Sequence, residues 1–169
     1  MAQHAGVGKG TIYLHWRTRE ALFQAVLQRE LVAALDEVPA AMRHDPQQVR
    51  LHRTTRVHYL AIMRRPLLRA LFVGHPEVLG KLAKGLHQGQ EARRLAAFEA
   101  YLSLLREHGL LRRDLSAAEC SYAFHATLEG FLVADSLCAA RDDLDLERKA
   151  ELLAQLARAT GAGTGTAPA

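Results

Sequence analysis

Residues 120–140, CSYAFHATLEGFLVADSLCAA, constrain the fold more than any other part of this 169-residue chain. Over those 21 positions only His125, Glu129 and Asp135 carry a group that is charged, or easily charged, near neutral pH. The rest is mostly apolar and shows no strand-like alternation, so the segment reads as a helix. Such a helix is about 31 Å long and apolar on every side, and every side then needs cover. Neighbouring helices of the same chain can wrap it as a central element, or a second subunit can cover the face they leave. A chain of this size has few helices to spare, so a partner subunit is the economical arrangement.

The same bias runs through the whole sequence. No stretch alternates apolar and polar residues between turn signals, and leucine and alanine far exceed β-branched residues, which predicts an all-α fold. A short helix is expected over 1–5, ending at Gly6, and a second over 9–16. Thr18 is a natural N-cap for a third. Its stripe of Leu22, Phe23, Val26, Leu27, Leu31 and Leu35 faces a core, and Pro39 is expected to lie beyond its end. Asp45-Pro46 starts the next helix with a capping acid and a proline at the first position, and that helix is expected to reach Arg64. Pro66 opens a shorter apolar helix over 66–73. Gly74, His75 and Pro76 break the chain, and another short helix is expected to reach Lys84. Over 88–108 Leu95, Phe98, Leu102 and Leu105 share one face, with Gly109 as terminator. Ser116 and Glu119 have the spacing of a capping box for the apolar helix. A last helix follows over 144–160, with Asp145 and Glu147 near its positive end. Residues 161–169, GAGTGTAPA, are expected to form a disordered tail.

Composition narrows the function classes. Apolar residues make up 49% and charged residues 24%, the balance of a soluble globular protein. No uncharged apolar run reaches the roughly 18 residues of a membrane span, and no basic-then-apolar leader opens the chain, so no membrane association and a cytoplasmic location are expected. The formal charge is +4, and 18 of the 22 basic residues are arginine, the side chain best matched to phosphate. On one helix Cys120 and Cys138 would stand about 27 Å apart, too far for a disulfide. With no metal-ligand spacing either, both are read as buried thiols, and no metal or cofactor is expected. No H-E-x-x-H, phosphate loop or nucleophile motif occurs, so the chain is not expected to be an enzyme.

Residues 2–16 follow the physical logic of a helix–turn–helix. Ala2 and Ala5 allow close helix contact, Gly6 suits a tight turn, and Val7 supplies an apolar plug. Lys9, Thr11, Tyr13 and His15 present polar groups from the second helix, whose buried side is Ile12 and Trp16. With Arg17 and Arg19 nearby, those groups suit phosphate contacts that seat a helix in the major groove.

The stretch AGVGKGTIYLHWRTREALFQAVL resembles the DNA-binding signature of the tetracycline-repressor (TetR) family of bacterial regulators. Ala5, Gly6, Val7, Lys9, Gly10, Thr11, Ile12, Tyr13 and His15 match that signature, Trp16 replaces the usual phenylalanine, and Arg19-Glu20 replaces a Lys-Glu pair. The resemblance implies that residues 9–15 form the recognition helix, with Lys9, Thr11 and Leu14 nearest the bases and Tyr13, His15 and Arg19 on phosphates. It also implies a first helix packed across these two. Met1 stands where the family has an aliphatic residue of helix two, so the expectation is an incomplete chain that binds operator poorly by itself.

The resemblance further implies three regions: a DNA-binding domain with its linking helix over 1–38, an effector-binding and dimerisation domain over 39–160, and the tail. A ligand-responsive repressor is expected, released from a double-stranded operator by a small molecule and paired as a homodimer through its last two helices. Inward-facing candidates for the ligand pocket are Tyr59, Met63, Phe72, Phe98, Tyr101, Phe124, His125 and Phe131, although aromatic residues at this spacing also serve as plain core. His125 and Glu129, four apart, can grip a ligand or pair with each other. Residues 43–69 hold seven arginines against one acid, Asp45, a run expected to be a solvated face. The alternative function is a truncated helical dimer that binds a small molecule or protein partner without DNA.

Overall fold

The computed structural model describes residues 18–73, 91–137 and 143–161. Within them the backbone forms six α-helices and one 3-10 turn: α1 Arg19–His44, the turn Pro46–Val49, α2 Leu51–Met63, α3 Pro66–Val73, α4 Glu91–Glu107, α5 Ala117–Leu137 and α6 Leu146–Gly161. No strand occurs among the described residues, as the periodicity predicts for an all-α fold.

Each start signal legible in the sequence makes its bond. Thr18 Oγ1 accepts from the Ala21 amide at 3.0 Å, and Glu20 sits in the first turn of α1 where the helix dipole favours an acid. Ser116 and Glu119 close a reciprocal capping box: the Ser116 amide donates to Glu119 Oε2 at 2.7 Å and the Glu119 amide to Ser116 Oγ at 3.2 Å. The Arg148 amide donates to Asp145 Oδ1 at 2.7 Å, capping α6. Gly109, at φ +69°, ends α4. Its amide bonds the Arg106 carbonyl and the Leu110 amide reaches back to Leu105, the paired bonds of a left-handed helix stop.

Two boundaries and one buried position depart from expectation. α1 runs through Pro39 to His44, so the division at 38/39 falls inside one continuous helix. Pro39 removes one backbone donor, but it is exposed, and water can satisfy the carbonyl left over. The helix expected from Asp45 to Arg64 is two elements. Asp45 caps the turn Pro46–Val49 through the Gln47 amide at 2.9 Å, and Arg50, at ψ 132°, interrupts before α2. Leu95, expected on the inner face of α4, is 45% exposed, whereas Leu102 and Leu105 are fully buried.

α2 lies at the centre. It packs on α1, α3, α5 and α6, and it buries Leu51, Thr54, Thr55 and the run 59–63. α4 packs along α5 instead, and it reaches the α2 side through long side chains. Leu27, Leu68, Leu128, Leu132 and Leu153 complete the core. Cys120 is a buried free thiol, as expected, and burial raises its pKa; Cys138 lies outside the described residues.

The arginine run faces solvent for the most part, as expected, but four of its seven members also form ion pairs. Arg53 pairs with Asp45, Arg56 with Glu147 and Glu151, Arg64 with Glu147, and Arg65 with Glu30 and Glu37. Most of these acids lie on other helices, distant in sequence, so a composition window cannot see them. Arg64 and Arg65 are neighbours at the α2–α3 corner, yet one holds α6 and the other α1.

Candidate functional site

Of the DNA-contact candidates, Lys9, Thr11, Tyr13, Leu14 and His15 lie outside the described residues. Arg19 is the first residue of α1 and is exposed.

The pocket candidates divide into groups. Phe98, Tyr101, Phe124 and His125 come together between α4 and α5. Phe98 stacks at 4.5 Å from Phe124 and 5.8 Å from Tyr101, and the His125 ring meets the Phe98 and Phe124 rings edge-on at 5.1 and 5.3 Å. Tyr59 and Phe131 form a separate T-shaped pair at 6.3 Å. Met63 is buried core, and Phe72 packs against the core from its edge. Helical spacing explains the convergence. Arg94, Phe98, Tyr101 and Leu105 fall on one face of α4, and Ser121, His125, Leu128 and Leu132 on one face of α5.

Polar groups border the rings. The Tyr101 hydroxyl donates to the Val49 carbonyl at 2.6 Å and lies 3.1 Å from Thr54 Oγ1, which itself donates to the Gln48 carbonyl at 2.8 Å. Burial pushes the Tyr101 pKa up to about 12, against a smaller opposing effect of Thr54, so the hydroxyl stays protonated. His125 Nδ1 donates to the Ser121 carbonyl at 2.8 Å, which fixes the orientation of the ring. Of the alternatives open to His125 and Glu129, the pair within the helix is not made: Glu129 is exposed, and His125 Nδ1 goes to the Ser121 carbonyl.

His58 on α2, which sequence reasoning passed over, belongs to the same region. Its pKa falls to about 4, first because it is desolvated, then because Arg94 and His125 are close enough to repel a proton from it. One turn from Thr54, it had a legible signal in that spacing. Its partners on α4 and α5 did not.

A cavity of about 20 Å³ adjoins the cluster, lined by Leu51, Thr55, Leu111, Cys120, Phe124 and Leu153 among others. It has room for about one water, so a larger guest must displace side chains. Phe124 serves both the cavity and the ring cluster, which makes it the side chain whose rotation joins them.

On the outer side of α5 a row of Ala118, Tyr122, Ala126 and Gly130 is exposed, and Tyr122 is 79% accessible. Four-residue spacing with small side chains is a surface on which another helix can lie closely. Among the described residues, α5 is therefore covered on one side only. No described helix is long and apolar enough to cross a membrane.

No curated protein and no solved structure matches the chain. Residues 1–26 match the family model for bacterial regulatory proteins of the tetR family, a segment that ends inside the first turns of α1. These regulators are DNA-binding proteins, and the match covers the residues in which the sequence shows helix–turn–helix spacing. By that match the N-terminal segment of the chain is similar to the regulators of the tetR family.

Proposed function

We propose that the chain is a ligand-responsive regulator, a repressor that leaves its operator when a small molecule enters the helical body. The observation that carries this reading is the junction of two parts by one helix. The matched DNA-binding segment runs directly into α1, and α1 packs on α2, whose Thr54 and His58 border the ring cluster.

In this mechanism Lys9, Thr11 and Leu14 read base edges, while Tyr13, His15 and Arg19 hold phosphates. Two copies pair through α5 and α6, with the Ala118–Tyr122–Ala126–Gly130 row of α5 at the contact, and so present two heads to a palindromic site. The ligand occupies the cluster of Phe98, Tyr101, Phe124 and His125, and by favouring one arrangement of the helices it changes the spacing of the heads.

A gel shift tests this on DNA flanking the gene, at low salt, with the chain as given and with the chain extended in frame upstream. The expected result is retardation by the extended form, weakened as salt rises. An extended form that dimerises but leaves this DNA unshifted at low salt refutes the repressor reading and favours the helical dimer without DNA binding.

A further inference from the structure

The small cavity beside Phe124 is defined more sharply by its hydrogen bonds than by its size. It lies where α2, α5 and α6 meet the connection 108–116, with Thr55, Leu111, Cys120, Phe124, Thr127 and Leu153 among its walls. Among the described residues that line it, none carries a charge at neutral pH: two threonine hydroxyls and one thiol are set in apolar groups. Burial raises the pKa of that thiol, Cys120, and keeps it protonated. Both hydroxyl protons are already committed. Thr55 Oγ1 donates to the Leu51 carbonyl at 2.6 Å and Thr127 Oγ1 to the Ala123 carbonyl at 2.7 Å, each one turn back in its own helix. The oxygens keep lone-pair capacity, so the walls offer acceptors, and the side-chain proton left to give is that of a thiol, a weak donor. The neighbouring ring cluster spends its donors in the same way, Tyr101 on the Val49 carbonyl, Thr54 on that of Gln48 and His125 Nδ1 on that of Ser121.

Resting on the ligand-responsive reading above, we propose that the ligand of the helical body is an uncharged, mainly apolar ring compound with at most a hydroxyl or N–H to donate, lodged beside Phe124 in this cavity. Leu115, Ala123 and Thr127 are half-buried while the other walls are buried, so the guest enters between α5 and the connection before it. The cavity of about 20 Å³ holds about one water, so a ring-sized guest fits only as Phe124 turns aside. The slot that side chain leaves has the form of an aromatic ring, with Phe98 stacked 4.5 Å from its present position. A hydroxyl or N–H on the guest meets the free lone pair of Thr55 or Thr127. A carboxylate, or a neutral group that only accepts, gives up its water there and finds no strong donor in exchange, and that loss excludes it. Because the walls belong to α2, α5 and α6, the guest presses on all three helices at once.

Calorimetric titration of the full chain with phenol, toluene, benzonitrile and benzoate tests the proposal, since the four share a ring and differ in what they donate or accept. Phenol and toluene are expected to bind, phenol about tenfold or more tighter than benzonitrile, and benzoate not to bind at millimolar concentration. Thr55→Val removes one acceptor at nearly the same volume, and should weaken phenol severalfold while leaving toluene unchanged. Ala123→Val fills space beside the entrance, and should abolish binding of both with the melting temperature held within about 5 °C. If benzonitrile or benzoate binds as tightly as phenol, the assignment of an uncharged donor is overturned. If phenol binds and Ala123→Val leaves its affinity unchanged, the guest sits elsewhere and the cavity assignment falls. If none of the four binds at millimolar concentration, the whole proposal falls. The ligand-responsive reading is checked apart from this by adding phenol to the gel shift of the extended chain: phenol that binds the cavity but leaves the DNA shift unchanged keeps the site and tells against the regulatory reading.

Discussion

Acid should destabilise this protein through one histidine. His58 has a pKa of about 4 in the folded chain against 6.5 when unhindered, because it is desolvated and faces Arg94 and His125. A depressed folded value means the unfolded chain binds the extra proton. The stability His58 contributes is complete above pH 6.5, and it is lost as pH falls through about 4. At pH 5 the unfolded histidine is almost wholly protonated and the folded one almost wholly neutral, a difference of about 2 kcal/mol, reduced to about 1–2 kcal/mol by the residual solvent access of the ring. His58→Gln removes the titration. Urea unfolding of parent and variant, each at pH 7.5 and 5.0, separates the proton effect from the cost of the substitution itself. The parent midpoint should fall about 0.5–1 M further than that of the variant. His52, also depressed by burial and then by Arg158 and other arginines, supplies a part of the pH dependence that both proteins share. Parallel losses in parent and variant would refute the claim that His58 is held neutral by its surroundings.

Tyr101→Phe removes the proton given to the Val49 carbonyl, which ties α4 to the turn before α2, and should cost about 1–2 kcal/mol, a fall of about 2–8 °C in melting temperature. In the parent, ultraviolet titration should find one tyrosine ionising near pH 12, and stability contributed below pH 10 should disappear as pH rises through that value. Arg65→Ala releases Glu30, Glu37 and the Ala61 carbonyl together, and should lower stability by about 1–2 kcal/mol in urea unfolding. Lysine there should recover less than half, because one ammonium cannot serve three acceptors as a guanidinium does. Gly109→Ala should cost about 1 kcal/mol in thermal unfolding although no atom obstructs the new methyl group, because φ of +69° disfavours any side chain.

How much was legible depended on the range of the interaction. Caps and stops are local, and Thr18, Asp45, Ser116, Gly109 and Asp145 could be read from residues within a few positions of each other. Pro39 misled because a proline strongly disfavours the helix interior, yet an exposed site near the end of a long helix tolerates the lost bond. Four of the five pocket candidates on α4 and α5 came together, Phe131 excepted, since helical spacing carries that information. What the spacing could not show was which helix would come opposite. Thr54 and His58 are invisible as partners of Tyr101, Arg94 and His125 until α2 is docked. The ion pairs of the arginine run were hidden for the same reason, because most of its acids lie on α1 and α6, up to 95 positions away.

On the proposed ligand-responsive reading, α2 is the element through which a ligand in the cluster would act on α1. α4 carries Phe98 and Tyr101 but packs chiefly on α5, so a push on those rings reaches α1 only by way of another helix. α2 presents Thr54 and His58 to the cluster and packs on both α1 and α6, and at its end Arg64 and Arg65 hold Glu147 of α6 and Glu30 and Glu37 of α1. A shift of α2 therefore strains the attachments of α1 and of α6 together. Because α1 is unbroken from Arg19 to His44, it transmits such a shift as a tilt of the whole helix, not as a local bend at Pro39. Removing Arg65 should accordingly loosen the link between ligand and head while leaving the ring cluster itself intact.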